Sequence, residues 1–316
     1  MRHSFTNRRS QPMVRAAVAT LEHLYLGHRR RFNLWALLIL LALAAFGLRQ
    51  FLLDAGVIGL AAGEPTTWAL LGVFLAALVC EYMDSSLGMG YGTTLTPLLL
   101  LAGFEPLQIV PAVLFSELLT GIAAGAMHHR DGNVDIFRNA LARRTFLLLA
   151  LLSAVGAVGA VLIAVKISAF WFTLAIVVIV LAMGLMTLVT ARRRIRYRAG
   201  GILAIGLVAA FNKGLSGGGY GPLVTSGQVV SGVPAKQAVA ITSMAEALTC
   251  LVGLGAYLML KGGLDWSLAL PLVTGGLLSV PMATATVRGL AEERIRGAVG
   301  GMTLILGVVL LVKLLG

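Results

Sequence analysis

The chain has 316 residues, 58% of them hydrophobic and 12% charged, with a mean hydropathy of +0.92 and a formal net charge of +12. That composition excludes an ordinary soluble domain and places the chain in a bilayer. The excess positive charge does not mark a nucleic-acid binder, because the arginines gather in clusters between apolar runs, as the positive-inside rule describes.

Residues 1 to 31 read as a basic cytoplasmic arm carrying Arg2, Arg8, Arg9, Arg15 and Arg29 to Arg31. Within it, 13 to 27 fits either a short interfacial helix or disorder. Residues 32 to 54 read as an extra N-terminal transmembrane helix, too long and too far from the start for a cleavable signal. The loop 54 to 67 holds Asp54 and Glu64 but no Lys or Arg, and reads as an outside loop.

Six further apolar runs, at about 107 to 127, 145 to 165, 169 to 190, 237 to 260, 266 to 287 and 296 to 315, are each long enough to cross once as a helix. Two more stretches, 68 to 103 and 200 to 232, are split by glycine motifs into pieces each shorter than a comfortable span. With residues 33 to 53, the expected fold is all-α and integral to the membrane, with about 7 full spans plus 2 broken, hairpin-like segments. If 68 to 103 goes in and returns, the arginines at 130 to 144, at 192 to 198 and at 288 to 296 all fall on the cytoplasmic side. The N-terminus is then cytoplasmic, in a multi-pass protein of the cytoplasmic membrane.

The broken segments are related. Gly88-Met89-Gly90-Tyr91-Gly92 recurs 129 residues later as Gly217-Gly218-Gly219-Tyr220-Gly221, and 11 of 38 positions from there to Gly125 and Leu254 are identical. The identities include scarce residues: Thr96/Thr225, Gln108/Gln237, Glu117/Glu246 and Thr120/Thr249. The span count starts the repeat 68 to 190 outside and the repeat 200 to 315 inside, so the halves are inverted, as in many secondary transporters.

Several polar residues fall inside these repeats. Glycine frees the backbone and exposes half-helix N-termini, whose positive dipole ends suit an anion. Gly88, Gly90, Tyr91, Gly92, Thr93 and Thr94 in the first copy, and Gly217, Gly218, Gly219, Tyr220 and Gly221 in the second, are the candidate substrate-binding residues. Close helix packing through small residues is the competing explanation. Lys213, preceded by Asn212, lies inside an apolar stretch at a cost of roughly 2.5 to 3.5 kcal/mol and needs a cavity or a partner. It attracts an anion, with Asn212 as a further donor, or pairs with Asp84, its counterpart in the first copy, or snorkels to the interface.

Glu117 and Glu246 sit in mid-span on corresponding helices, in polar stripes that include Ser243. Together with Asp84 they are candidates for proton coupling or for hydrogen bonding that holds the broken segments. Glu81 has no such counterpart, since Ala210 stands in its place. Cys80 and Cys250 read as small buried hydrophobes, and His128 and His129 as part of a solvated loop without metal-ligand spacing. No nucleotide loop or catalytic constellation is apparent, so neither an enzyme nor a cofactor or metal is expected.

At the glycine repeat the sequence resembles the TauE/SafE sulfite exporter family, also called the toluene-sulfonate uptake permeases. The motifs are Gly88 to Pro97 with Gly132-Asn133-Val134-Asp135, and Gly217 to Pro222 with Gly262-Gly263-Leu264-Asp265. The resemblance covers about 68 to 315; Met89 and Tyr91 depart from the denser glycine run usual there. It implies a secondary transporter of a small anion, an oxidised sulfur species such as sulfite, thiosulfate or an organosulfonate, working by alternating access. An anion channel and a non-transporting membrane assembly subunit are the alternatives. The partners implied are the small anion and the lipid bilayer, with no nucleic acid; a homo-oligomer is compatible with the sequence.

Overall fold

The computed structural model describes residues 67–134, 140–191, 199–230, 233, 235–286 and 292–316. The chain divides into two compact units, Met1–Val57 and Ile58–Gly316, and every described element belongs to the second. The expected basic arm 1 to 31 and extra helix 32 to 54 lie outside the described residues, as do the arginines of 192 to 198 and Asp135.

Ten helices are described, with no strand among the described residues. The first half contains α1 (Thr67–Leu87), α2 (Tyr91–Leu101), α3 (Pro106–Arg130), α4 (Ala140–Ala164) and α5 (Ala169–Ala191). The second contains α6 (Ala199–Ser216), α7 (Tyr220–Val230), α8 (Ala235–Lys261), α9 (Trp266–Thr286) and α10 (Glu292–Leu315). The six unbroken spans expected after residue 100 correspond to α3, α4, α5, α8, α9 and α10, less than a turn or two apart at the ends except where α4 begins earlier.

Both breaks fall where the glycines stand. The backbone leaves the helix at Gly88 with φ of 71° and re-enters after Gly90 with φ of 129°; Gly217 and Gly219 repeat the device at 70° and 80°. L-residues with a Cβ rarely adopt such angles, so the interruptions are encoded locally. One expectation about the arms needs correcting. Helix α1 has 21 residues and is apolar enough to cross a membrane by itself, whereas α2 and α7 have 11 residues each. The glycine motif therefore ends a full-length helix in the first half rather than dividing one into two short pieces.

Caps define other helix ends. Glu105 and Gln108 form a capping box at the start of α3 with Pro106 just inside it, and Asp265 Oδ1 accepts the backbone N–H groups of Ser267 and Leu268 at the start of α9. Gln108 also donates to Asp265 Oδ2 at 3.2 Å, tying the two caps together across the halves.

The helices pack reciprocally. Helix α1 lies against α9 and α6 against α4; α3 packs on α9 and α8 on α4; α3 meets α8, and α5 meets α10. Exchanging the two halves maps this set of contacts onto itself, as a pseudo-two-fold axis requires. The central position of α8 leaves most of it buried, whereas α10 is largely exposed and turns Ile305 and Val312 outward. Exposed apolar side chains on α4, α5 and α10, among them Leu151, Val178 and Leu185, form a coat suited to lipid.

Candidate functional site

At the axis the two elbows touch through their backbones. A Cβ on Gly92 would collide with the carbonyl of Gly217, and one on Gly221 would collide with that of Gly88. Gly218 in turn faces Gly92 and the amide of Thr93. Hydroxyls fasten the crossing: Thr96 Oγ1 donates to the Ser216 carbonyl and Thr225 Oγ1 to the Gly88 carbonyl, both at 2.9 Å. Four of the candidate binding glycines, Gly92, Gly217, Gly218 and Gly221, thus allow the broken segments to approach closely, as packing through small residues does.

Lys213, on the last turn of α6, is 0% exposed. It does not meet Asp84. Its Nζ donates to Glu117 Oε2 on α3 and pairs with Glu246 Oε1 on α8 at 2.7 Å. The two acids are pseudo-symmetry mates, so one ammonium on the axis is shared by equivalent carboxylates from the two halves. Asp84 is occupied differently: the Tyr91 N–H donates to its Oδ1 at 3.3 Å, which caps the positive end of half-helix α2 with a carboxylate. The ion pair considered between Asp84 and Lys213 is therefore replaced by a Glu117, Lys213, Glu246 triad. The reason is the position of α3 and α8, which bring their mid-span acids up to the α6 elbow.

The remaining predicted residues fall around this centre. Tyr91 is fully buried, with its hydroxyl 2.8 Å from Ser116 Oγ. Thr93 and Thr94 are buried on α2, and Tyr220 on α7. Asn212 lies beside Gly219, with its amide nitrogen 3.9 Å from the thioether of Met183. Ser243 donates to the Val239 carbonyl one turn earlier on α8. Its side chain lines a small cavity with Glu81, Asp84, Glu117, Thr120, Gly121 and Glu246. Asn212, Lys213 and the acids are thus brought together near the elbows, whereas Gly90 packs apart from the crossing, toward Met83 and Val299.

His128 was expected in solvent and is 0% exposed. Its Nε2–H donates to the Ser85 carbonyl at 3.0 Å, and its Nδ1 accepts from Asn133 at 2.9 Å. This fixes the neutral imidazole with the proton on Nε2. The counterpart in the second half is Tyr257, whose hydroxyl donates to the Gly214 carbonyl at 3.1 Å. Ser85 and Gly214 are themselves equivalent positions, so a histidine and a tyrosine make the same link in the two halves. The repeat register carried the signal for this pair, since residues 128 and 257 share its 129-residue offset. Side-chain type alone concealed it.

Comparison with known proteins agrees with this architecture. A protein-family model, Sulfite exporter TauE/SafE, matches residues 73–310. The chain is also similar to a protein of Bacillus subtilis (strain 168) described as "Probable membrane transporter protein YtnM", with 26% identity over 241 residues, covering 72% of this chain and 78% of that protein. No solved structure matches. A match across both glycine elbows and all but the ends of the two halves shows that the chain belongs to the TauE/SafE sulfite exporter family of membrane transporters.

Proposed function

We propose that the protein is a secondary transporter of a small anion, of the oxidised-sulfur class, working by alternating access in the cytoplasmic membrane with its N-terminus inside. The observation that carries this reading is the buried ammonium of Lys213 at the junction of the two halves, held by one acid from each. An ammonium taken out of water is stable only with compensating negative charge. Here carboxylates of α3 and α8 supply it, and an arriving anion would exchange with them. Such an exchange loosens α6 from α3 or from α8, and the contact with α3 joins the two halves.

The half-helix ends support an anion at the second elbow. At the first elbow the protein's own Asp84 carboxylate caps α2. At the second, the corresponding residue is Lys213, whose ammonium turns toward the acids, so no carboxylate of the equivalent residue caps α7. An anion beside Tyr220 and Gly221, with Asn212 as an added donor, would take the role Asp84 plays in the first copy. The direct contact of the elbows favours alternating access over an open channel in this conformation.

Reconstitution tests the reading. Purified protein in liposomes should accumulate labelled sulfite, thiosulfate or methanesulfonate against empty vesicles, with saturation and inhibition by the unlabelled anion. Equal counts in protein and empty vesicles for every anion would remove it.

A further inference from the structure

Four carboxyl side chains, Glu81, Asp84, Glu117 and Glu246, line one small cavity beside a single buried ammonium. Three of them have a partner that balances negative charge. Glu117 and Glu246 share Lys213, and Asp84 takes the N–H at the positive end of α2. Glu81 has neither. Its Oε1 accepts a hydrogen bond from the neutral Ser85 hydroxyl at 2.5 Å, and its Oε2 has no hydrogen-bond partner of good geometry. Thr120 shares the cavity wall with it. The side chain is 2% exposed.

Among the described residues, the surroundings offer Glu81 no positive charge of its own. Its own helix contributes Cys80 and Asp84; α3 contributes Glu117 and the neutral His128, which binds the backbone of Ser85; α8 contributes Glu246. Helix α2 contributes the Tyr91 hydroxyl, which is engaged with Ser116. On the α9 side stands Gly276, and that helix has no titratable residue along its length. A buried carboxylate with only neutral hydroxyls, those of Ser85 and Thr120, beside it is costly, and a proton on it removes the charge.

We infer that Glu81 is a proton-binding site of the transport cycle, loaded with one proton when the anion is bound and carrying it across in the same direction. The coupling half of this inference rests on the anion-transport reading above; the proton-binding half does not. The sign follows from charge. The cavity already holds more acids than bases, so an anion entering alone adds to the imbalance, whereas an anion entering with a proton leaves the total unchanged. Because Ala210 stands at the position equivalent to Glu81 in the second copy, the site is built in the first half only.

Two measurements decide it. Infrared difference spectra of the purified protein should contain the C=O stretch of a buried protonated carboxyl, shifted in D2O. Glu81→Gln should remove that band. Ser85→Ala, which keeps the carboxyl but removes its donor, should retain the band at a changed frequency. A spectrum unaltered in Glu81→Gln would overturn the site whether or not the protein transports. In liposomes loaded with a pH-sensitive dye, wild-type movement of sulfite, thiosulfate or methanesulfonate should acidify the side the anion reaches. Any residual anion movement by Glu81→Gln should no longer carry protons. An undiminished proton-to-anion ratio in that variant would overturn the coupling. If the wild type moves none of the three anions, the transport reading fails, and the infrared result still decides whether Glu81 holds a proton.

Discussion

The two halves of the protein build the same elbow and put opposite charges beside it. In the first, Asp84 precedes the break and its carboxylate is consumed by the backbone of α2. In the second, Lys213 holds the same place and reaches away from its own half-helix to acids on α3 and α8. The comparison separates what the duplicated framework needs from what it leaves available. Glycine elbows, threonine clasps and the links from residues 128 and 257 serve the framework and occur twice. Lys213 and Glu81 occur once, and chemistry that needs a charge gradient through the centre must rest on such unequal positions.

The largest expected effect comes from removing the shared cation. Lys213→Met leaves Glu117 and Glu246 buried without their ammonium and should cost about 3 to 5 kcal/mol, read as a fall in the detergent melting temperature, with loss of transport. The comparison predicts more. Because Glu117 and Glu246 are interchanged by the pseudo-axis, a lysine at position 84 should reach them as well as one at 213. Asp84→Lys combined with Lys213→Asp should therefore be more stable than the sum of the single variants implies, by about 0.5 to 3 kcal/mol. Strict additivity in that cycle would show that the two positions are not equivalent.

Next in size is the elbow contact. Gly92→Ala and Gly221→Ala each drive a methyl group into the opposing backbone and should each destabilise by about 3 kcal/mol. Gly159→Ala on α4, where nothing lies within 4 Å of the added methyl, is the matched control and should be neutral. Unequal losses at 92 and 221 would show that one elbow yields more readily.

The smallest effect is expected at the paired links. Tyr257→Phe removes one hydrogen bond, to the Gly214 carbonyl, and should cost about 0.5 to 1.5 kcal/mol. His128→Ala should cost more, about 1 to 3 kcal/mol, because Asn133 also loses its acceptor. Equal losses, measured by the same thermal assay, would mean that the histidine network adds nothing to the single bond it shares with the tyrosine.

Much of this architecture was legible beforehand. Six spans follow from apolar run length, and both breaks from glycines whose backbone angles other residues avoid. The register of Glu117 with Glu246 and of Asp84 with Lys213 was also readable, because duplication preserves spacing. The misreadings share a cause. His128 follows a long apolar run and precedes Arg130 and Asp131, so it reads as loop, yet it lies in the last turn of α3 against the carbonyl of Ser85. Asp84 and Lys213 are equivalent and opposite in charge, so a pair between them is one of the readings, yet equivalent positions need not touch.

By itself the sequence determined the membrane environment, the helices, the two breaks and the pseudo-symmetry relating them. These depend on hydropathy, backbone freedom and repeat spacing, which act along the chain. Only the tertiary structure decided that Lys213 pairs with Glu117, 96 residues away, and with Glu246, that Gly92 abuts Gly217, and that Glu81 is left among neutral donors. The contacts of Lys213 and of Gly92 arise where separate helices meet, and which side chains meet there is set by packing geometry that no one-dimensional spacing contains.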